Sequence, residues 1–222
     1  MVAKFPRWVW IGAWTLAFAA GFVNVVGLLG FQHQAITHLT GTASLLGAAL
    51  ADGDAAAILH LAASIGAFVA GCMLSGFIIQ DSTLRLGRRY GVALLLESAL
   101  LCAAVPLLER GQAWGMYAAA GACGLQNAMV SAYSGAAIRT THLSGMFTDL
   151  GIFLGHALRG LPVDPRRLRL CLLVISGFLS GGMGGAIAFR RLGYPALLLP
   201  AGIAMAAALA YWLFRLRQTR RS

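Results

Sequence analysis

Thr37-His38-Leu39-Thr40-Gly41 recurs almost unchanged as Thr141-His142-Leu143-Ser144-Gly145, 141 − 37 = 104 positions later in a chain of 222 residues. Each copy sets hydroxyls, an imidazole and a glycine at the head of an apolar helical run. Hydroxyl residues are strong N-cap formers. A helix start offers unpaired N–H groups and partial positive charge, so two starts facing one cavity can hold an anion or a carbonyl group. Gly41 and Gly145 let a solute or a backbone come close. The plainer alternative for each copy is a capped helix at the membrane surface.

Two amides accompany the motifs. Asn24 and Asn127 lie 127 − 24 = 103 positions apart, each in the apolar run that precedes one copy. An amide within a membrane span either orients a solute or ties helices together. Asp149, in Phe147-Thr148-Asp149-Leu150-Gly151, breaks the symmetry, because Leu45 holds the matching place. It is a candidate for proton or cation coupling, although an acidic residue early in a helix also complements the dipole. Glu97 is the other carboxylate within an apolar run, placed to pair with a basic residue or to line a cavity. The candidate solute-binding set is Asn24, Thr37, His38, Thr40, Gly41, Thr42, Asn127, Thr141, His142, Ser144, Gly145 and Asp149.

Other chemistry fits less well. His38 and His142 suit proton shuttling or metal ligation, but neither has a second ligand at helical spacing, so no metal or other cofactor is implied. His142, Ser144 and Asp149 contain the residue types of a hydrolytic triad. Ser144 is only two residues from His142, however, and no Gly-x-Ser-x-Gly turn is present, so the chain is not expected to be an enzyme.

The elements that must position these residues are membrane helices. Hydrophobic residues make up 59% of the chain and charged ones 11%, with mean hydropathy +0.77, against roughly 45–50% and about 25% in soluble domains. The excess implies an all-α polytopic membrane protein, a single transmembrane domain over residues 1–222. The net charge of +10 comes from basic residues at segment ends: Lys4 and Arg7; Arg85, Arg88 and Arg89; Arg159, Arg166, Arg167 and Arg169; Arg215, Arg217, Arg220 and Arg221. That is positive-inside anchoring to the lipid bilayer rather than a nucleic-acid surface, which would interleave aromatics on a soluble face. Cys72, Cys102, Cys123 and Cys171 lie scattered in apolar runs without metal or disulfide spacing, as small buried hydrophobes do.

Apolar runs near 8–30, 56–79, 90–108, 114–133, 170–189 and 194–214 are long enough to cross, and the first is read as a retained span rather than a cleaved leader. The run after each motif is shorter and suits a half-helix or re-entrant segment. Residues 8–108 and 112–215 carry corresponding features in the same order, which reads as an internal repeat. With three crossings per half the second half is inverted. Asp52, Asp54 and Glu109 then fall on one side, and every basic cluster except Arg190-Arg191 falls on the other with both termini. If the short segments cross as well, each half has four spans and the repeats are parallel, with Arg85 to Arg89 on the outer side. The fold expected is two inverted repeats, about six spanning helices plus two short segments, with the two motifs meeting near the midplane. Ala67, Gly71 and Ser75, and Gly177, Gly181 and Gly185, form small-residue stripes at four-residue spacing. They predict that these two segments pack on each other or at the interface of a homodimer.

Ala20-Gly21-Phe22-Val23-Asn24, Thr40-Gly41-Thr42, Gly124-Leu125-Gln126-Asn127 and Thr140-Thr141-His142-Leu143-Ser144-Gly145-Met146-Phe147-Thr148-Asp149-Leu150 together resemble the YoaK family of small bacterial inner-membrane proteins, a domain-of-unknown-function family. The resemblance covers nearly the whole chain. It implies a transporter-like polytopic protein of the bacterial inner membrane. Asn24 stands where that family often has Asp, and Thr42 where it often has Asn. The function expected is a transporter or channel for a small polar or anionic solute. A non-transporting scaffold or accessory subunit is the alternative, and a membrane-embedded enzyme is a third reading.

Overall fold

The computed structural model describes residues 7–30, 36–79, 89–134 and 140–219. Among them the chain forms eight α-helices: α1 (Arg7–Leu29), α2 (Leu39–Asp52), α3 (Ala55–Ile78), α4 (Arg89–Glu109), α5 (Ala113–Ser134), α6 (Leu143–Leu158), α7 (Pro165–Leu192) and α8 (Leu198–Thr219), with a 3-10 turn (Tyr194–Leu197) before α8. The protein is an all-α polytopic membrane protein. The stretches around α1, α3, α4, α7 and α8 are long and apolar enough to cross a bilayer. Helix α5 matches them in length at 22 residues but carries Gly115, Gly121, Gly124, Gln126 and Asn127. It is also enclosed, packed between α3 and α4, and a helix shielded from lipid can carry polar and small residues at little cost. The outward faces are apolar, with Leu59, Phe77 and Leu158 almost fully exposed, as a lipid-facing surface requires.

Local chemistry sets the helix ends. Asp54 accepts from the backbone N–H groups of Ala56 and Ala57 and starts α3. Asp164 accepts from Arg166 N–H at 2.9 Å, with Pro165 in the first turn. Helix α7 therefore begins inside the basic stretch expected to be a loop up to Arg169, because the N-cap and the N-terminal proline both favour a start. The expected basic residues Lys4, Arg85, Arg88, Arg220 and Arg221 lie outside the described residues.

The helices pair across the two halves. Helix α1 lies along α7, and α3 along α5. A Cβ on Gly177 would sit 2.8 Å from the Trp14 carbonyl oxygen, one on Gly185 2.7 Å from that of Phe22, and one on Gly181, between them, would collide with that of Phe18. The matches advance four residues on both helices, so α1 and α7 run parallel. Helices α3 and α5 do the same: a Cβ on Gly121 would lie 3.4 Å from Ala67 O, and one on Gly71 2.9 Å from Leu125 N. The glycine stripes thus face α5 and α1. Helices α3 and α7 make no contact among the described residues, so the expectation that they pack on each other is corrected. A small-residue stripe shows that something comes close, not which helix it is.

The close approaches correspond between halves. Gly21 is closed off by the Phe178 carbonyl as Gly124 is by that of Phe68, and Gly181 meets Phe18 O as Gly71 meets Gly121 O. The partners are displaced by 124 − 21 = 121 − 18 = 103 and by 178 − 68 = 181 − 71 = 110 positions. Direction reverses between counterparts. Trp8 at the start of α1 meets Tyr133 at the end of α5, ring centroids 5.7 Å apart, while Phe22 and Val26 share a core with Met116 and Ala119. Gly91, early in α4, abuts Trp212, late in α8, while Val105 and Leu108 share that same core with Ala196 and Ala201. Counterpart helices α1 and α5, and α4 and α8, are therefore antiparallel. The start of α1 shares its face of the bundle with Arg89 at the start of α4 and with Arg166, Arg167 and Arg169 at the start of α7. Asp52, Asp54, Glu109 and Arg190-Arg191 lie toward the other face.

Candidate functional site

Each short helix starts beside a polar side chain of the long helix before it. The Asn24 side-chain carbonyl accepts from Thr37 N–H at 2.9 Å and from Thr37 Oγ1 at 2.8 Å. Asn24 is five residues from the end of α1, so the chain turns back and α2 begins within the depth of α1. Helix α2 then joins α3 through Gly53, at φ 69°, and Asp54, and packs along it. At about 1.5 Å per residue its 14 residues reach some 21 Å, too short for a full crossing. In the second half the bond goes to the neighbouring residue: Thr140 Oγ1 donates to Gln126 Oε1 at 3.5 Å, both buried. Asn127 is half-buried, and its Oδ1 has no hydrogen-bond partner.

The two helix starts are alike in geometry. His38 and His142 are the N-cap residues, with φ −93° and ψ 66° or 59°, and neither makes a side-chain cap. This corrects the expectation that the hydroxyls cap these helices. Leu39 and Leu143 pack against the two apolar cores and fix where each helix begins, so the hydroxyls fall inside the helices. There they bond back one turn: Thr42 to His38 O, Ser44 to Thr40 O and Thr148 to Ser144 O. Each histidine ring lies over the glycine of its motif, His38 Nδ1 being 2.7 Å from where a Gly41 Cβ would be, and the His142 ring covering Gly145.

Not all the candidate residues come together. Asn24, Thr37, His38, Gly41 and Thr42 form one group. Gln126, Thr140, His142 and Gly145 are the core of the other, with Thr141 half-buried beside it. Helices α2 and α6 make no contact with each other among the described residues. His38, Thr40, His142, Ser144 and Asp149 are exposed on the flanks of the bundle, whereas Thr37 and Thr42 are buried.

A cavity of about 510 Å³ lies between the starts of α1 and α4 and the ends of α5 and α8. Its wall is apolar, built from Gly12, Leu16, Leu94, Met129 and Val130 among others, with Tyr90, Tyr133 and Tyr211 as its tyrosines. At its inner end the stripes of α4 and α5 continue to two polar residues, Glu97 and Gln126. Tyr90 and Tyr133 meet edge to face, centroids 5.9 Å apart, and two helical turns inward on each helix stand Glu97 and Gln126. Both are buried, and Glu97 Oε2 and Gln126 Nε2 lack hydrogen-bond partners. The sequence marks Glu97 as a carboxylate placed to pair with a basic residue or to line a cavity, and Gln126 as part of a motif. Their opposition depends on the α4–α5 register, which no local pattern displays. His60 is hydrogen-bonded to Tyr117 at 2.8 Å, and Cys72 donates to Gly124 O.

A family model described as protein of unknown function (DUF1275) matches residues 12–210, in agreement with the resemblance read from the motifs. No curated protein and no solved structure matches the chain.

Proposed function

We propose that this chain, which belongs to the DUF1275 family of proteins of unknown function, is a membrane carrier or channel for a small solute, built from two inverted repeats, rather than an enzyme. One observation carries the reading: counterpart helices run antiparallel and exchange partners, α1 with α7 and α3 with α5, with a cavity between α1, α4, α5 and α8. Inverted halves with non-crossing short helices are the architecture in which one half rocks against the other to open alternate sides. The basic helix starts near the cavity mouth support a cytoplasmic mouth and cytoplasmic termini, in the inner membrane of a bacterium.

For the solute we propose a small polar or anionic molecule. Support comes from the two helix starts, whose first-turn N–H groups no cap side chain claims. Gly41 and Thr42 beside Asn24, and Ser144 and Gly145 beside Asn127, would supply contacts at two separate places, neither of them in the wall of the cavity. The test is flux of a panel of anions and small polar solutes into proteoliposomes, with Gly41→Leu and Ser144→Leu as variants. Flux that survives in both variants removes these residues from the site. No flux for any solute overturns the carrier reading.

A second reading, a scaffold or accessory subunit, is favoured by one observation: His38, Thr40, His142, Ser144 and Asp149 lie exposed on the flanks, where a second copy or another membrane protein could cover them. Cysteine cross-linking at Thr40 and Ser144 between chains, without flux, is the result that would select it.

A further inference from the structure

Among the described residues Glu97 is the one buried carboxyl; Asp52, Asp54, Glu109, Asp149 and Asp164 are all exposed. It is 3% exposed, and its Oε2 has no hydrogen-bond partner. The helices packed along α4 at this level are α5 and α8, with α3 touching it only slightly. On α5 the groups that face Glu97 are Gln126, whose Nε2 is also unpartnered, and Cys123, whose thiol is close enough to feel the carboxylate charge. On α8 the buried side chains along α4 are Ala201, Ala204 and Ala208. The titratable groups of α3 are engaged elsewhere on α5, His60 with Tyr117 and Cys72 with Gly124 O. Tyr90 and Tyr133 lie two turns away. No lysine, arginine or histidine reaches Glu97 among the described residues. A carboxylate buried without a cation costs several kcal/mol, and such a group neutralises itself by taking a proton.

The cavity extends toward that carboxyl. Leu94 lines it and lies one turn from Glu97 on α4; Met129 and Val130 line it and lie one turn from Gln126 on α5. The cavity therefore ends about a turn short of the carboxyl. We propose that Glu97 is a proton-binding site: its carboxyl takes up and releases a proton through this cavity, with the Gln126 amide as hydrogen-bond partner of the ionised form. In the carrier reading above, on which this last step rests, that proton is the coupling ion.

The probe is N,N′-dicyclohexylcarbodiimide, an apolar reagent that attacks protonated carboxyls in apolar surroundings. Purified full-length protein is treated across a pH series without any solute, and adducts are located by peptide mass. The expected result is an adduct at Glu97, absent from exposed Asp149 and Glu109, whose yield falls about tenfold per pH unit above its midpoint. Glu97→Gln removes it. No adduct at Glu97 at any pH at which the protein stays folded overturns the proposal, and so does an adduct whose yield is independent of pH, since that proton would not exchange. Should Glu97→Gln fail to fold, the wild-type map still decides. Labelling needs no flux, so its failure and that of the carrier reading are separate results.

Discussion

Both hydrogen bonds that Thr37 makes to Asn24 end on one atom, the side-chain oxygen. Asn24 therefore acts here as an acceptor, a part a carboxylate plays equally well. The pair fixes the depth at which α2 begins.

Replacing Asn24 separates acceptor chemistry from size. Asn24→Asp keeps both bonds and should leave the melting temperature in detergent nearly unchanged. Asn24→Leu strands a buried N–H and a hydroxyl, a loss on the order of 1–3 kcal/mol. It should also raise amide exchange at residues 37–42 while leaving 140–146 protected. Equal exchange in the two variants would show that the Asn24–Thr37 tie does not hold the helix start.

The glycine contacts predict a sharp contrast within one residue type. A methyl at Gly181 meets the Phe18 carbonyl, which is backbone and cannot rotate away. Gly181→Ala should cost about 1–3 kcal/mol by forcing α1 from α7, and Gly71→Ala should do the same at α3–α5. Gly66 and Gly76 meet nothing within 4 Å, so alanine there should be neutral or slightly stabilising, by up to about 1 kcal/mol of helix propensity. Thermal unfolding of the four variants in one detergent decides the matter.

Much of the fold is legible in the chain because lipid demands long apolar helices, and hydropathy marks their ends to within a few residues. The start of α7 escapes that reading, since Asp164 and Pro165 look like a loop until the side chain is seen accepting from Arg166 N–H. The site is less legible. The repeated Thr-His-Leu pieces announce two equivalent helix starts, and both appear with the same N-cap geometry. Their distance from each other is set by which long helices pair, and Gly21 and Gly124, the residues that pair them, look like any other glycine in an apolar run. Glu97 and Gln126 are visible as polar interruptions, but only the tyrosine pair at Tyr90 and Tyr133 and the short turn between α4 and α5 bring them onto facing stripes.

Topology is open to a direct measurement. Trp8 and Tyr211 line the same cavity, so both ends of the helical bundle lie on one side, and the turn at Arg110 lies on the other. In a protein with Cys72, Cys102, Cys123 and Cys171 replaced, Arg110→Cys should react with a membrane-impermeant maleimide added outside whole cells, and a cysteine at Thr219 only after lysis. The opposite pattern would invert the orientation, and labelling of both sites from outside would contradict the shared side.

The cavity can be filled at a chosen point. Gly12 lines it, and a Cβ there meets nothing within 4 Å, unlike the glycines at helix contacts. A larger side chain at Gly12 therefore projects into open space rather than into backbone, and its helix propensity exceeds that of glycine by roughly 0.5–1 kcal/mol. Gly12→Leu should fold as well as wild type or slightly better, yet reduce solute flux in proteoliposomes, and Gly12→Trp should reduce it further. It should also slow carbodiimide labelling of Glu97, because reagent and proton share the path past Leu94 and Met129. Glycine 47 supplies the control: Gly47→Leu meets open space on α2 away from the cavity and should alter neither flux nor labelling. Flux unchanged in a well-folded Gly12→Trp protein would mean that solute does not pass through this cavity, and labelling unchanged in it would mean that the proton reaches Glu97 by another route.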